Sequence, residues 1–405
     1  MKKGRSKAFF ISGGAGRVIC SIPAFEKYAE ESGDKDFIIV CEGGMDFYRG
    51  HPVLQKHAYE VWHKGLFDQH LRDKDIVTPE PYRINEYFNQ KCSLAQAFDI
   101  EINGLEDPRE ISVPTITLCK SETITGYQAI QQMKSQLNKN KALIVQPFGR
   151  SVEQMGEYLI DNTSRSFEVG NIISIIEKLR EKYAIIVMAD LALPIPENEK
   201  HPVAVPKEPN LRLWASMIKS ADHFLGCDSV GQHMAKALDK TATVVIGSTV
   251  PINISYPDDD KFDIIDIGAE NGRNYSPIRM TMDDEKDRQN DEAMEMNDEQ
   301  EKRIIDSCIK FLGKGEKFEG TFIPSQPQNV CTNPDHNHQH PHQHPHQHIE
   351  HNMDTSPKEG TRKERRAAER AERKEQTKSK TEPGLFDFDT KNLLKDSGPS
   401  PHNKD

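Results

Sequence analysis

The sequence predicts an α/β chain in which two units of parallel sheet and helix are followed by a disordered tail. Three observations carry this. Short apolar strands alternate with helical patterns over 8–41 and again over 143–246, the pattern of right-handed βαβ crossovers and a parallel sheet. Apolar runs nearly vanish beyond about residue 320. The 405-residue chain is only 35% hydrophobic, whereas folded domains reach roughly 45–50% on a count that includes glycine.

The elements follow in order. Ala8-Phe9-Phe10-Ile11 reads as a buried strand ending at Ser12-Gly13-Gly14-Ala15-Gly16, and 18–31 as a helix with Ile19, Ile22 and Phe25 on one side. Residues 37–41 form a second strand, ending in Glu42-Gly43-Gly44. The stretch 51–120 mixes proline-punctuated loops with a helical segment at 84–98. In the second unit, strands are expected at 143–145, 184–188, 223–226 and 243–246. Helices at 168–182, 211–221 and 231–238 separate them. Ligands of such open sheets bind beyond the carboxyl ends of the strands, so two facing sheets would place them in the cleft between. The domain limits expected are 1–140, 141–324 and a tail, 325–405.

Composition excludes several classes. No stretch approaches the roughly 18 apolar residues of a membrane span. The basic N-terminus is followed by too short an apolar run for a secretion signal. Seven cysteines, scattered and odd in number, suit reduced thiols in a cytoplasmic protein. The net charge of −11 is polarised. Residues 283–301 carry ten acids and two bases, expected as a loop or a solvated helix start, whereas 358–380 carry ten Lys/Arg and five Glu.

The strongest local pattern is Gly226-Cys227-Asp228-Ser229-Val230-Gly231-Gln232-His233. A strand ends there, Asp228 or Ser229 can cap the helix that follows, and its free N–H groups and dipole suit an anion, with His233 in reach. An ordinary capped helix is the competing reading. A second patch is Gln146-Pro147-Phe148-Gly149-Arg150-Ser151, followed by Asp161-Asn162-Thr163-Ser164-Arg165 on the same sheet edge. Arginine forks suit phosphate oxygens, although exposed loop arginines are commonly just solvated. The loop Gly13–Arg17 completes neither a dinucleotide fingerprint nor a P-loop, but lets the backbone approach a substrate.

Residues 8–257 resemble the bacterial heptosyltransferases, family 9-like nucleotide-sugar glycosyltransferases. The matches are Gly16-Arg17-Val18-Ile19 with Pro23-Ala24, the 146–151 loop, Arg165, the Asp228-Ser229 helix start with His233, Ala235 and Ala237, and Ile246-Gly247-Ser248-Thr249. The resemblance implies a GT-B fold of two facing Rossmann-like domains and transfer of a sugar from a nucleotide-diphosphate donor, with inversion. It implies that Ser151, Arg165, Asp228, Ser229, Gly231 and His233 bind the donor, with Gly14, Gly16 and Arg17 on the acceptor side. The nucleotide sugar is a co-substrate, and no metal or other cofactor is required.

Two departures bear on mechanism. Val230 stands where the family has glycine, and Arg17 where it has the aspartate that activates the acceptor. Arginine accepts no proton at neutral pH, so either another carboxylate serves, with Asp46 and Glu42 the first candidates, or the catalytic route differs; Arg17 itself suits an anionic acceptor.

The tail adds Gly384-Leu385-Phe386-Asp387-Phe388-Asp389, which resembles the peptides with which phage replication proteins hook the sliding clamp. With the basic strip it suggests a phage enzyme acting on DNA in host cytoplasm, its acceptor a hydroxymethylated base. A lipopolysaccharide-type saccharide is the alternative acceptor. A non-catalytic relic that binds nucleotide or nucleic acid is the alternative class, and a phage accessory protein is a third. Eight histidines between His336 and His351 form a metal-sticky or pH-responsive strip outside the folded part.

Overall fold

A computed structural model of the chain describes residues 5–156, 158–161, 163–273 and 292–320. The histidine strip, the basic strip, Leu385, Phe386 and Phe388 lie outside the described residues, as does the first part of the acidic stretch.

The N-terminal lobe comprises β1 (Lys7–Ile11), α1 (Ala15–Glu31), β2 (Ile38–Cys41), β3 (Ala58–Glu60), β4 (Asp75–Val77), α2 (Asn85–Phe88) and α3 (Leu94–Asn103). Its strands form a parallel sheet in the order β3-β2-β1-β4. The single helix expected at 84–98 is two. Ser93 stops the first pattern and starts α3 with a capping box: its Oγ accepts from the Gln96 amide at 3.3 Å, and Gln96 Oε1 accepts from the Ser93 amide at 3.0 Å.

A connecting helix, α4 (Lys120–Gln136), leads into the C-terminal lobe. There β5 (Ala142–Gln146) is followed by a hairpin, β6 (Val152–Met155) and β7 (Tyr158–Asp161), and by α5 (Val169–Leu179). Next come β8 (Ala184–Val187), α6 (Leu211–Ser220), β9 (His223–Cys227), α7 (Val230–Ala237) and β10 (Ala242–Ile246). The lobe closes with α8 (Pro251–Ile254), β11 (Phe262–Asp266), α9 (Ile267–Glu270) and α10 (Asp298–Leu312). The sheet order is β11-β10-β9-β5-β8, all parallel. All four expected strands and three helices are present; the hairpin and β11 were not anticipated. Of the acidic stretch, 292–297 are turn and loop and 298–301 start a helix, α10, capped by Asn297, with Gln300 and Glu301 buried rather than solvated.

The strand alternation of period two explains the layering. Leu143 and Val145 face a cluster with Ile172 and Ile176 of α5 and Ile304 and Cys308 of α10. Ala142 and Ile144 face the opposite cluster, with Trp214 and Ile218 of α6 and Met234 of α7. That second cluster continues into the N-terminal lobe through Ile19, Ile22, Phe25 and Phe98. The lobes therefore share apolar packing, with each fully buried Ile or Phe contributing about 1.5–3 kcal/mol. Among the described residues, no helix is long and apolar enough to cross a membrane.

Candidate functional site

The site lies at the carboxyl ends of β5 and β9, opposite the start of α1. The loop that enters α5 is organised by Asp161. Its carboxylate accepts from Ser151 Oγ (2.8 Å), the Thr163 amide (2.8 Å), the Ser166 amide (2.9 Å) and both Thr163 Oγ1 and Ser166 Oγ (2.5 Å each). Burial pushes this carboxyl up, but the hydrogen bonds from Ser166, Thr163 and Ser151 together outweigh it, and it titrates below its ordinary value.

A depressed folded-state pKa stabilises the fold above the unfolded pKa and ceases to do so as pH falls through the folded one. Asp161→Asn is therefore expected to cost about 2–3 kcal/mol near pH 7. The gap to the native chain should narrow below about pH 4. Thermal melts of both proteins across pH check this; a pH-independent gap would remove the charge from the account.

On this scaffold sits Arg165. Its Nε donates to Thr163 Oγ1 at 3.0 Å and its Nη2 to Ser151 Oγ at 3.3 Å. Its Nη1 lies 3.8 Å from Asp228 Oδ2. Asp228, 5% exposed, accepts from Gln232 Nε2 on Oδ1 (3.1 Å), while Oδ2 has no hydrogen-bond donor among the described residues. Burial raises the Asp228 carboxyl above its usual range, against the pull of Arg165. The loop after β10 closes the floor: the Ser248 amide donates to the Ser164 carbonyl at 3.1 Å, and Ser248 Oγ to the Thr163 carbonyl.

The capping expectation at α7 needs correction. Neither Asp228 nor Ser229 caps the helix. Gln146, at the end of the neighbouring β5, donates through Nε2 to Ser229 Oγ (3.0 Å) and accepts the Gly231 amide on Oε1 (2.9 Å). A side chain from an adjacent strand has thus taken a backbone donor that the sequence pattern left free for an anion.

In the N-terminal lobe, the Gly13 amide donates to Glu42 Oε2 at 2.7 Å. A Cβ on Gly16 would meet His233 Cδ2 at 3.1 Å, so glycine is what lets α1 and α7 approach here. Arg150 Nη1 would lie 3.8 Å from a Cβ on Gly14. His233 is 5% exposed, with Nδ1 2.9 Å from Tyr256 Oη and 3.5 Å from Cys20 Sγ. Burial pulls its pKa down to about 4, so it is neutral at pH 7.

Arg17 is buried, its guanidinium 5.0 Å from the Tyr82 ring centroid and 5.6 Å from that of Phe98. Its Nη2 donates to the Pro79 carbonyl at 3.3 Å. Both nominated carboxylates are exposed: Glu42 adjoins the glycine loop, and Asp46 is paired with Arg49 at 3.0 Å.

The structure thus brings Ser151, Arg165 and Asp228 together, sets Gly16 against the start of α7, and places Gly14 by Arg150. Sequence reasoning missed the roles of Asp161 and Gln146. For Asp161 a local signal exists: Asp followed two residues on by Thr is an Asx-turn pattern. For Gln146 there is none, because its partners are 83 and 85 residues away.

The chain superposes on the glycosyltransferase family 9 protein from Veillonella parvula with a TM-score of 0.52 and 12% identity, covering 77% of this chain and 98% of that one. The fold is GT-B-like. ADP-heptose lipopolysaccharide heptosyltransferase II of Escherichia coli gives a TM-score of 0.49 at 11% identity, over 76% of this chain and 98% of its own. No protein-family profile and no curated sequence matches the chain.

Proposed function

We propose that the protein is a cytoplasmic, nucleotide-sugar-dependent glycosyltransferase, with an acceptor domain at 1–140 and a donor domain at 141–324. The observation that carries this is the Arg165–Asp228 pair: a guanidinium braced by two hydroxyls, beside a buried carboxylate oxygen with no donor of its own. A nucleoside-diphosphate sugar satisfies both. Its phosphates take the charge of Arg165 and the hydroxyls of Ser151 and Thr163, and a sugar hydroxyl donates to Asp228 Oδ2.

Sugar transfer then forms a bond from an acceptor oxygen to the anomeric carbon as the bond to the diphosphate breaks. Preorganised positive charge stabilises the departing group without a metal. The acceptor proton goes to a carboxylate on the glycine-loop side, and Glu42 is the better placed of the two candidates. Attack from the face opposite the leaving diphosphate gives inversion, as the family resemblance implies.

The acceptor we favour is a saccharide hydroxyl, by kinship of fold with a family 9 glycosyltransferase. The DNA and sliding-clamp readings rest on residues outside the described part and enter as an arm of the test. Purified protein is offered nucleotide sugars, ADP-heptose first, with a lipopolysaccharide core, hydroxymethylcytosine DNA and plain DNA. Acceptor mass is then measured. An increment on the saccharide is expected; one on the modified DNA would replace the acceptor but keep the enzyme. Donor binding without any transfer would point to a binding module. Arg165→Ala is expected to lower transfer about 10²-fold or more, and wild-type rates in that variant would remove the pair from the chemistry.

A further inference from the structure

Arg212, on α6 of the donor lobe, is 2% exposed, and its guanidinium is fully engaged outside its own helix. Nε and Nη2 grip Glu122 Oε1 and Oε2 at 2.6 Å each, a bidentate fork onto the first turn of α4. Nη2 also donates to the Thr117 carbonyl at 2.8 Å, in the segment that joins the lobes. Nη1 donates to the Asp46 carbonyl at 2.9 Å and reaches that of Arg49 at 3.3 Å, both in the loop after β2 of the acceptor lobe. Glu122 is itself fixed by the Cys119 amide at 2.8 Å. Burial pushes its carboxyl up, but Arg212 and the Cys119 amide outweigh that and hold it below its ordinary value, so Glu122 is ionised at neutral pH.

One side chain therefore ties the donor lobe, the connecting segment and an acceptor-lobe loop. That loop runs back through Gly44, which abuts Ala15 at the start of α1 so closely that a Cβ on Gly44 would lie 2.7 Å from the Ala15 Cα. A displacement of 46–49 would thus reach the start of α1, where Gly16 packs on His233.

We infer that Arg212 is a positioning residue: by holding the 46–49 carbonyls it couples the acceptor-side loop to the state of the donor lobe. Coupling to a bound donor rests on the glycosyltransferase reading; the mechanical tie does not. Lysine cannot reproduce the tie, since it lacks the planar fork.

The test is hydrogen exchange by mass spectrometry on the full chain, with and without ADP-heptose. Wild type is compared with Arg212→Lys and with the charge-neutral pair Arg212→Met/Glu122→Gln, which leaves no lone buried charge if the single substitution fails to fold. Without ligand, amides 44–50 and 113–119 of the double variant should exchange about tenfold faster than in wild type, while 223–246 stay unchanged. ADP-heptose should slow exchange at both 163–166 and 44–50 in wild type, but only at 163–166 in the variants.

Protection of 44–50 that survives in Arg212→Lys and in the double variant would overturn the coupling. Unaltered exchange of 44–50 in the ligand-free double variant would overturn the tie itself. If wild type shows no protection anywhere with ADP-heptose, that donor assignment fails, and the ligand-free comparison still decides the tie.

Discussion

Asp228→Asn is expected to lower sugar transfer about 10²–10³-fold and, at the same time, to raise the melting temperature at pH 7. The two effects share a cause. The carboxylate is buried, one oxygen has no donor, and Arg165 stands 3.8 Å away. Burial raises its folded-state pKa above the unfolded value. For an acid shifted in that direction, ionisation costs the folded state more than the unfolded one. The penalty is absent below the unfolded pKa, near 4, grows as pH rises through the window up to the folded pKa, and is complete above it.

Asparagine removes the penalty, and Asp161 remains to counter the charge of Arg165. It also removes the anionic acceptor that a sugar hydroxyl would meet. Melts of both proteins from pH 7 downward should converge in acid, while transfer is followed by mass spectrometry. A variant less stable than wild type at pH 7 would show that the pairing with Arg165 outweighs desolvation.

The second large effect concerns the joint between the lobes. Gly126→Ala should destabilise the chain by about 1–3 kcal/mol. A Cβ on Gly126 would lie 2.4 Å from Ser216 Oγ and 2.5 Å from the Ser216 backbone carbon and oxygen. A side chain can turn aside, but a backbone cannot, so α4 and α6 must part. One turn earlier on each helix stand Glu122 and Arg212, on the same faces as Gly126 and Ser216. Parting the helices strains that fork as well. Gly170→Ala on α5, where a Cβ meets nothing within 4 Å, is the control. It should leave stability unchanged or raise it by up to about 1 kcal/mol, the helix preference of alanine over glycine. Equal melting of the two variants would mean that α4 and α6 separate at no cost.

Local pattern made most of the architecture legible. Apolar runs such as Leu143-Ile144-Val145 and the spacing of Ile172, Ile176 and Leu179 depend only on neighbours in the chain, and so do glycine-terminated strands. The same reasoning failed where partners are distant. The break at Ser93 was a local signal passed over, whereas the hairpin of β6 and β7 packs only Val152 and Leu159 on a core cluster and leaves Met155 and Tyr158 exposed, too little apolar alternation to stand out. The acidic stretch, left open as a loop or a solvated helix start, is loop at 292–297 and the start of α10 at 298–301, where Glu301 is buried against Asn171, Ser174 and Lys178.

For the site, the order of residues along the chain was enough to nominate Ser151, Arg165 and Asp228, because each sits at a strand end or helix start and the topology of a parallel sheet gathers those points on one edge. The sequence alone also determined the fold class, since hydrophobic periodicity is a property of the chain. Only the tertiary structure decided that Gln146 occupies the Gly231 amide, that Arg17 packs on Tyr82 and Phe98, and that Arg212 joins both lobes. The reason is physical: a hydrogen bond or cation–aromatic contact acts over a few ångströms of space and is indifferent to separation along the chain. Residue type states what a group can bind, and the fold chooses which of its possible partners it meets.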